Sequence, residues 1–303
     1  MVDKNYQNTV NNDEGGFLVD ETLTAEILKD IASVSVCEPY LKSYPMPTRT
    51  RKINYLEEKP KAYWVGQEAG KKSKTNVKFA QLDMTLKPMA VIIPFTEEWA
   101  KFANIEVVQF LREEIRDAFV EKQDRTYLGY EDDSPFSSAI SSDIPADTGN
   151  IIALGTSDKD ELVDISNAMG AVEQAGYIPN GWAAPLSLKA RLRNLRDDYG
   201  RPLFEPGNAQ APDTFYGLPI RFSANMMATG SPAARELIVG DWSKAFKGDD
   251  ADIAFKLLTE ATITLGDGTL LNLAEQDMMA IRAVMYKAFA VYKADAFAKV
   301  TGL

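Results

Sequence analysis

The chain has 303 residues, and its 44 Asp and Glu against 33 Lys and Arg give a formal net charge of −11. That balance excludes a generally basic nucleic-acid-binding protein, because duplex binding depends on Lys and Arg neutralising phosphates. The absence of histidine and the single cysteine, Cys37, exclude Ser-His-Asp and Cys-His catalysis, histidine-ligated zinc and an internal disulfide. The longest apolar run, residues 89–95, is far shorter than the roughly 20 residues that span a bilayer, which predicts a soluble protein made in the cytoplasm.

Residues 1–48 are predicted to form an N-terminal arm with one short helix. The first fourteen residues are polar and rich in Asn, and such a segment cannot bury enough apolar surface to order itself. Gly15-Gly16 leads into a stretch whose apolar residues have helical spacing: Leu23, Ile27, Leu28 and Ile31. Because prolines at positions 39, 45 and 47 follow, we expect the helix to end before them.

Residues 49–88 are predicted to form a long two-stranded β-ribbon. Apolar and polar residues alternate in two runs, a period typical of strands: Ile53 and Tyr55 in the first, and Leu82, Met84 and Leu86 in the second. A change of phase after Phe79 predicts a bulge near Ala80-Gln81. Because isolated hairpins are marginally stable in water, and little of the chain remains to cover this ribbon, we expect it to lie on another surface.

The end of the ribbon carries the main basic concentration of the chain. One interpretation is a solvated hairpin tip, and the other is an electrostatic contact with an acidic neighbour, which another copy of this acidic chain could provide. Aromatic residues nearby are candidate interface anchors. The candidate contact residues are Trp64, Lys71, Lys72, Lys74, Lys78 and Phe79.

The middle of the chain is predicted to contain a buried strand at residues 89–95 and then the longest helix, at 97–128, with Asn104 as a possible cap of its second section. One face of this helix is apolar: Phe102, Ile105, Val108, Leu111, Ile115, Ala118 and Phe119. Residues 134–156 are rich in Ser, Pro, Asp and Gly, which indicates a boundary.

Beyond this boundary the pattern predicts two further helices and several strands. The first helix ends at Gly176, and the second spans residues 186–195. Short strands are expected near residues 217–220 and 237–241, and a hairpin near 262–268. The residues from Met278 to Val300 fit either a helix or strands, and we favour strands.

Three acidic motifs invite a chemical interpretation. Asp147-Thr148-Gly149 matches the aspartic-protease triplet, but that chemistry needs two carboxylates, so a turn is favoured, with a second copy from a homodimer as the alternative. Gly266-Asp267-Gly268 lacks the third glycine of a dinucleotide site and is predicted to be a hairpin turn. Asp249, Asp250 and Asp252 lack the distal glutamate of a calcium loop, so we expect a solvated acidic loop. No cofactor is predicted.

In their order along the chain, these segments resemble a known family. The arm, the ribbon and the long helix are followed by four short motifs: Gly181-Trp182-Ala183-Ala184-Pro185, Tyr216-Gly217-Leu218-Pro219-Ile220, Leu237-Ile238-Val239-Gly240-Asp241-Trp242 and Asp295-Ala296-Phe297-Ala298-Lys299-Val300. The sequence resembles the major capsid proteins of tailed double-stranded-DNA bacteriophages, which have the Hong Kong 97 fold.

The resemblance implies an α+β fold with an N-terminal arm (1–48), an extended loop formed by the β-ribbon (49–88), a peripheral domain with a long spine helix (89–136 and 273–303) and an axial domain (137–272). It also implies a non-enzymatic structural subunit. Pentamers and hexamers of this subunit would assemble in the host cytoplasm into the icosahedral shell of a virion, which encloses the phage genome.

The resemblance further implies several partners. These are other copies of the chain, a separate scaffolding protein, a portal, a possible decoration protein and packaged double-stranded DNA in non-specific contact; no membrane contact is expected. Two alternatives remain open. One is an encapsulin-like nanocompartment, and the other is a histidine-free carboxylate hydrolase that uses Asp147 or the acidic residues 249–252.

Some relatives form an isopeptide bond between a lysine and an asparagine beside an acid. The resemblance aligns Lys71 or Lys72 with the donor, but it aligns Gln276 with the acceptor and Ala283-Val284 with the acid. Because the alignment provides neither the asparagine nor the acid, covalent cross-linking is not expected.

Overall fold

The computed structural model describes residues 29–31, 33–58, 60, 62, 64, 77–102, 105–155, 158–197, 199–207, 212–226, 235–249, 253–266 and 268–302. Within these residues, 29–31 and 33–34 are helical, and four α-helices follow: α1 Glu97–Phe102, α2 Ile105–Leu128, α3 Asp158–Gln174 and α4 Lys189–Asn194. The strands are β1 Lys42–Pro45, β2 Thr50–Glu58, β3 Lys78–Thr85, β4 Lys87–Thr96, β5 Ile151–Ala153, β6 Gly181–Pro185, β7 Phe204–Glu205, β8 Thr214–Phe215, β9 Leu218–Ser223, β10 Glu236–Gly240, β11 Ala245–Asp249, β12 Ala254–Leu258, β13 Thr262–Thr264, β14 Leu270–Asn272, β15 Met278–Val291 and β16 Phe297–Thr301.

A five-stranded sheet is built around β15, the longest strand. β4 pairs antiparallel along one side of β15, from Met278 opposite Thr96 to Lys287 opposite Lys87. The other side is shared by β12 and β11, and β1 adds to β11 in parallel. Helix α2 packs on this sheet through Ile115 and Phe119, which lie one turn apart on the same face.

A seven-stranded sheet forms the second layer, in the order β5-β16-β10-β6-β9-β8-β7. Its central strands β6 and β10 are completely buried. Helix α3 covers the sheet with Ile165, Ala168 and Val172, which contact Trp182 and neighbouring apolar residues in one core cluster. Spacings of three and four residues place the three α3 side chains on one helical face.

A third group of buried side chains, the junction core, lies between the two sheets. The end of α2 contributes Tyr127, the irregular segment after α2 contributes Ile140, and the strand ends contribute Phe289 and Phe297. Trp242 packs here fully buried and donates its indole N–H to the Gly181 carbonyl at 3.0 Å. The segment predicted to be a boundary is therefore part of a shared core.

Most predicted elements are present. The strand at 89–95 is confirmed as β4, and the long helix is confirmed in two sections, α1 and α2, on either side of residues 103–104. The segment from Met278 to Val300 forms strands β15 and β16, as favoured over a helix. On α2, however, Ala118 is exposed and Val120 is buried, so the buried stripe lies slightly differently from the predicted one.

The two sheets do not follow the boundaries expected from the sequence. β11 and β12 (245–258) were expected with the unit 137–272 but pair with β15 in the five-stranded sheet. β16 (297–301) was expected with 273–303 but pairs with β10 in the seven-stranded sheet. The chain crosses between the sheets near residues 241–245 and 291–297, and local patterning does not reveal which distant strand will be the partner.

The close packing at Gly240 gives a stability prediction. A Cβ atom at this position would lie 2.5 Å from Cδ1 of the buried Phe297 and 2.6 Å from the carbonyl oxygen of Ala296. We expect Gly240→Ala to lower the free energy of unfolding by about 1–3 kcal/mol, as overpacking does. Gly266→Ala, where the added Cβ meets open space, is the control in denaturant unfolding; equal midpoints for the two variants would contradict this packing.

Candidate functional site

The base of the β2–β3 ribbon packs on the body of its own chain. The two strands pair in continuous register from Thr50 opposite Thr85 to Leu56 opposite Phe79. One face turns inward, where Met84 is completely buried. It contacts residues from β11, β15 and the segment after β1, and the shared cluster is Met46, Met84, Leu86, Phe246, Ala288 and Ala290. The expectation that the chain has little to cover the ribbon is therefore wrong for its base.

The predicted bulge near Ala80-Gln81 is also wrong. The inward face continues through Ala80 without interruption, and the register shifts only between Leu56 and Glu58 on the opposite strand. Val77 and Phe79 are at odd positions, whereas the inward-facing residues of β3 are at even positions, and both side chains are exposed. The change of phase in the sequence marks the point where large apolar side chains turn outward.

The distal part of the ribbon is where this apolar surface is concentrated. Phe79 is 73% exposed and Leu56, directly opposite it, is 40% exposed. Val77 is also 40% exposed, and Leu56, Val77 and Phe79 are called the distal ribbon patch below. Contiguous exposed apolar groups of this kind mark interaction surfaces more often than isolated ones do.

The predicted contact residues are only partly described. Phe79 belongs to the distal ribbon patch, Lys78 is exposed and pairs in register with Glu58, and Trp64 is fully exposed. Lys71, Lys72 and Lys74 lie outside the described residues.

The acidic motifs have no catalytic geometry in the part of the chain that the structure describes. Asp147-Thr148-Gly149 lies in a turn, where Gly149 has a φ of 77°. The expectation that Asp249 lies in a solvated loop is wrong, because Asp249 is the last residue of β11 and lies beside two lysines. Asp250, Asp252 and Asp267 lie outside the described residues. The described Cys, Asp and Glu residues form no group of three that could hold a metal ion.

Residues 33–40, called the anchor segment below, are held by hydrogen bonds to buried or partly buried polar side chains that the sequence patterns did not predict. Asp124 of α2 is completely buried and accepts a hydrogen bond from the Ser35 hydroxyl at 2.6 Å and from the Val36 N–H at 3.0 Å. From the seven-stranded sheet, Arg221 donates to the carbonyls of Ser33 and Ser35 at 3.3 and 3.2 Å. The anchor segment therefore binds elements of both layers.

Glu38 of the anchor segment is part of a cluster of four charges, in which Glu38 and Lys287 are buried and Lys247 and Asp249 are partly buried. Lys287 Nζ lies 2.7 Å from Glu38 Oε1 and 2.8 Å from Asp249 Oδ1. Lys247 Nζ lies 3.3 Å from Glu38 Oε2 and 3.7 Å from Asp249 Oδ2. Two cations and two anions balance, as burial of charge requires. Sequence periodicity cannot identify such a cluster, because Glu38 is about 250 residues from Lys287 along the chain.

Burial controls the ionisation of this region. Burial raises the pKa of the Cys37 thiol well above 9.0, and the nearby Asp124 carboxylate raises it further. Burial likewise raises the pKa of Tyr127 well above 10.0, with Glu38 adding to the effect. Burial alone would lower the pKa of Lys287, but the carboxylates of Glu38 and Asp249 outweigh it, so this pKa is raised from 10.5.

Solved structures share the fold of this chain. The capsid of an empty GTA particle computed with C5 symmetry matches with a TM-score of 0.63 at 14% identity, over 97% of this chain and 98% of that chain. A chain from Mycobacterium phage Adephagia matches with a TM-score of 0.70 at 26% identity, over 96% of this chain and 97% of that chain. Both of these chains therefore have the same α+β fold as this one.

Sequence comparison then identifies the family. The sequence pattern of the Phage capsid family matches residues 15–302. The major capsid protein of Staphylococcus phage 80alpha is 28% identical over 290 residues, which cover 94% of this chain and 85% of that protein. The chain therefore belongs to the phage capsid family, and it is a structural protein of a bacteriophage capsid. None of the described helices has the length and apolarity to cross a membrane.

The raised pKa values predict that the protein loses stability in alkaline solution. Each of the three groups contributes stability below its unfolded pKa, and loses that contribution as the pH rises toward its higher folded pKa. We expect the denaturant midpoint to fall progressively above about pH 9, where the unfolded Cys thiol ionises. In Cys37→Ala the midpoint should begin to fall nearer pH 10, because Tyr127 is then the first of these groups to ionise in the unfolded chain. A midpoint that is constant from pH 8 to 11 would contradict the raised pKa values of these groups.

Proposed function

We propose that this chain is the major capsid subunit of a tailed phage, and that it assembles as pentamers and hexamers into an icosahedral shell that encloses the genome. The observation that carries the proposal is the distal ribbon patch. Its apolar side chains are exposed in a single chain, whereas the base of the same ribbon is firmly packed. A neighbouring copy can supply the missing burial.

The role of the ribbon follows from its two faces. Burial of apolar surface contributes about 25 cal/mol per Å², so an exposed pair such as Leu56 and Phe79 gains free energy when a neighbour covers it. Lys78 and the basic residues Lys71, Lys72 and Lys74 add charge that suits an acidic surface on another copy of this chain. Many weak contacts of this kind, repeated over a closed shell, make a stable particle.

Membership of the family supports the remaining proposed roles. Residues 1–48 serve as the N-terminal arm and 49–88 as the extended loop. The rest of the five-stranded sheet with α2 serves as the peripheral unit, and the seven-stranded sheet with α3 serves as the axial unit. The subunit acts without catalysis. It assembles in the host cytoplasm with a separate scaffolding protein and a portal, and it contacts packaged DNA non-specifically.

The distal ribbon patch provides the mutational test. We expect Leu56→Ser with Phe79→Ser to reduce the yield of assembled particles at least about tenfold, because the shell contact loses apolar burial at each of many copies. Particles are counted by electron microscopy after sedimentation, and circular dichroism of the unassembled fraction checks folding.

Val163→Ser is the matched control, since Val163 lies on α3 and is 57% exposed. Its particle yield should stay near that of the original chain. Normal yield from the double ribbon variant would overturn the contact role of the patch. Particles filled with an enzyme instead of DNA would indicate an encapsulin-like compartment.

A further inference from the structure

Four aromatic rings, called the aromatic ladder below, connect the five-stranded sheet to the ribbon. Tyr44 of β1 meets Phe246 of β11 edge to face, with ring centroids 5.0 Å apart. Phe246 stacks on Tyr292, which follows β15, at 5.9 Å. Tyr292 then meets Tyr55 of β2 edge to face at 4.5 Å and an interplanar angle of 89°. Edge-to-face and offset pairs at these distances are attractive beyond their burial.

Tyr292 is held from both sides of this ladder. Its backbone N–H donates to the Lys244 carbonyl at 2.7 Å, which fixes it to the sheet. Its hydroxyl donates to the Leu56 carbonyl of the ribbon at 3.4 Å. The ammonium group of Lys293 lies 5.7 Å from the Tyr292 ring and 5.9 Å from the Tyr55 ring, a cation–π geometry that favours the same arrangement.

The ladder ends where the ribbon stops being supported. Tyr55 lies opposite Ala80 on the inward face, and the next pair along the ribbon is Leu56 and Phe79 of the distal ribbon patch. Tyr292 is therefore located at the boundary between the packed base and the exposed end. A two-stranded ribbon bends and twists easily, so contacts at this boundary set the direction in which the exposed end projects.

We propose that Tyr292 is a positioning residue, which fixes the angle of the ribbon before a neighbouring copy binds it. The inference rests on the proposed function of the ribbon as an assembly contact. If the ribbon were free to swing in the unassembled subunit, every contact in the shell would have to offset the lost conformational freedom. The aromatic ladder orders the ribbon in advance, and such preorganisation strengthens binding without any new contact.

The test uses the full-length chain and two measurements. Hydrogen–deuterium exchange on the unassembled fraction reports the order of the ribbon by itself, and particle yield reports assembly. Tyr292→Ala removes the ring, whereas Tyr292→Phe keeps it and loses only the hydroxyl. Tyr286→Ala is the matched control, because Tyr286 lies on β15, is 40% exposed and is not part of the ladder.

We expect amides of β2 and β3 to exchange about tenfold faster in Tyr292→Ala, the size of effect expected when an edge-to-face pair and a cation–π contact are lost. Exchange in β6 and β10, which the ladder does not touch, should be unchanged. Particle yield should fall in parallel. Tyr292→Phe should stay within about twofold of the original chain, because the hydroxyl bond is long, and Tyr286→Ala should match the original chain in both measurements.

Unchanged ribbon exchange in Tyr292→Ala, or an equal increase in Tyr286→Ala, would overturn the positioning role. Faster exchange with normal particle yield would also overturn it, because the order of the ribbon would then not matter for assembly. If the original chain formed no particles under any condition, the proposed shell function would fail. The exchange measurement would still decide whether Tyr292 orders the ribbon.

Discussion

A two-stranded ribbon has two faces, and the body of this chain covers one of them only at its base. Met84 and Leu86 are buried against β11 and β15, whereas Leu56 and Phe79 remain exposed on the distal end. Because a ribbon of two strands is marginally stable in water by itself, the exposed end gains stability from a surface outside the chain. This constraint connects the fold to the proposed assembly, in which a neighbouring copy presents such a surface to every ribbon.

The rest of the molecule holds the base of that ribbon in place. β15 pairs with three strands, β4, β11 and β12, and α2 packs across this sheet. The anchor segment ties α2 to the seven-stranded sheet through Asp124 and Arg221. The charges of Glu38, Lys287, Asp249 and Lys247 are balanced inside this junction, so the connection between the layers is polar and directional as well as apolar.

Much of this architecture could be predicted from the sequence. The alternation around Ile53 and Leu82 predicts the ribbon, and the spacing of Ile115 and Phe119 predicts the face of α2 that packs. The partners of β11 and β16 could not be predicted, because pairing between distant strands depends on the whole fold. The buried charges were missed for a related reason: Glu38 and Asp124 look like ordinary surface carboxylates until the chain brings Lys287 and the Ser35 hydroxyl to them. Covering of the ribbon base by Met46 and Phe246 was missed because these residues lie outside the ribbon in the sequence.

The most direct test of the central claim is a cryo-electron microscopy map of particles assembled from this chain, at a resolution that shows side chains. The account predicts that Leu56 and Phe79 of each subunit lie against a neighbouring copy, while Tyr55 keeps its contact with Tyr292 of its own chain. Solvent-exposed Leu56 and Phe79 throughout the particle, or a protein that stays a single folded chain at every concentration and salt condition, would contradict it.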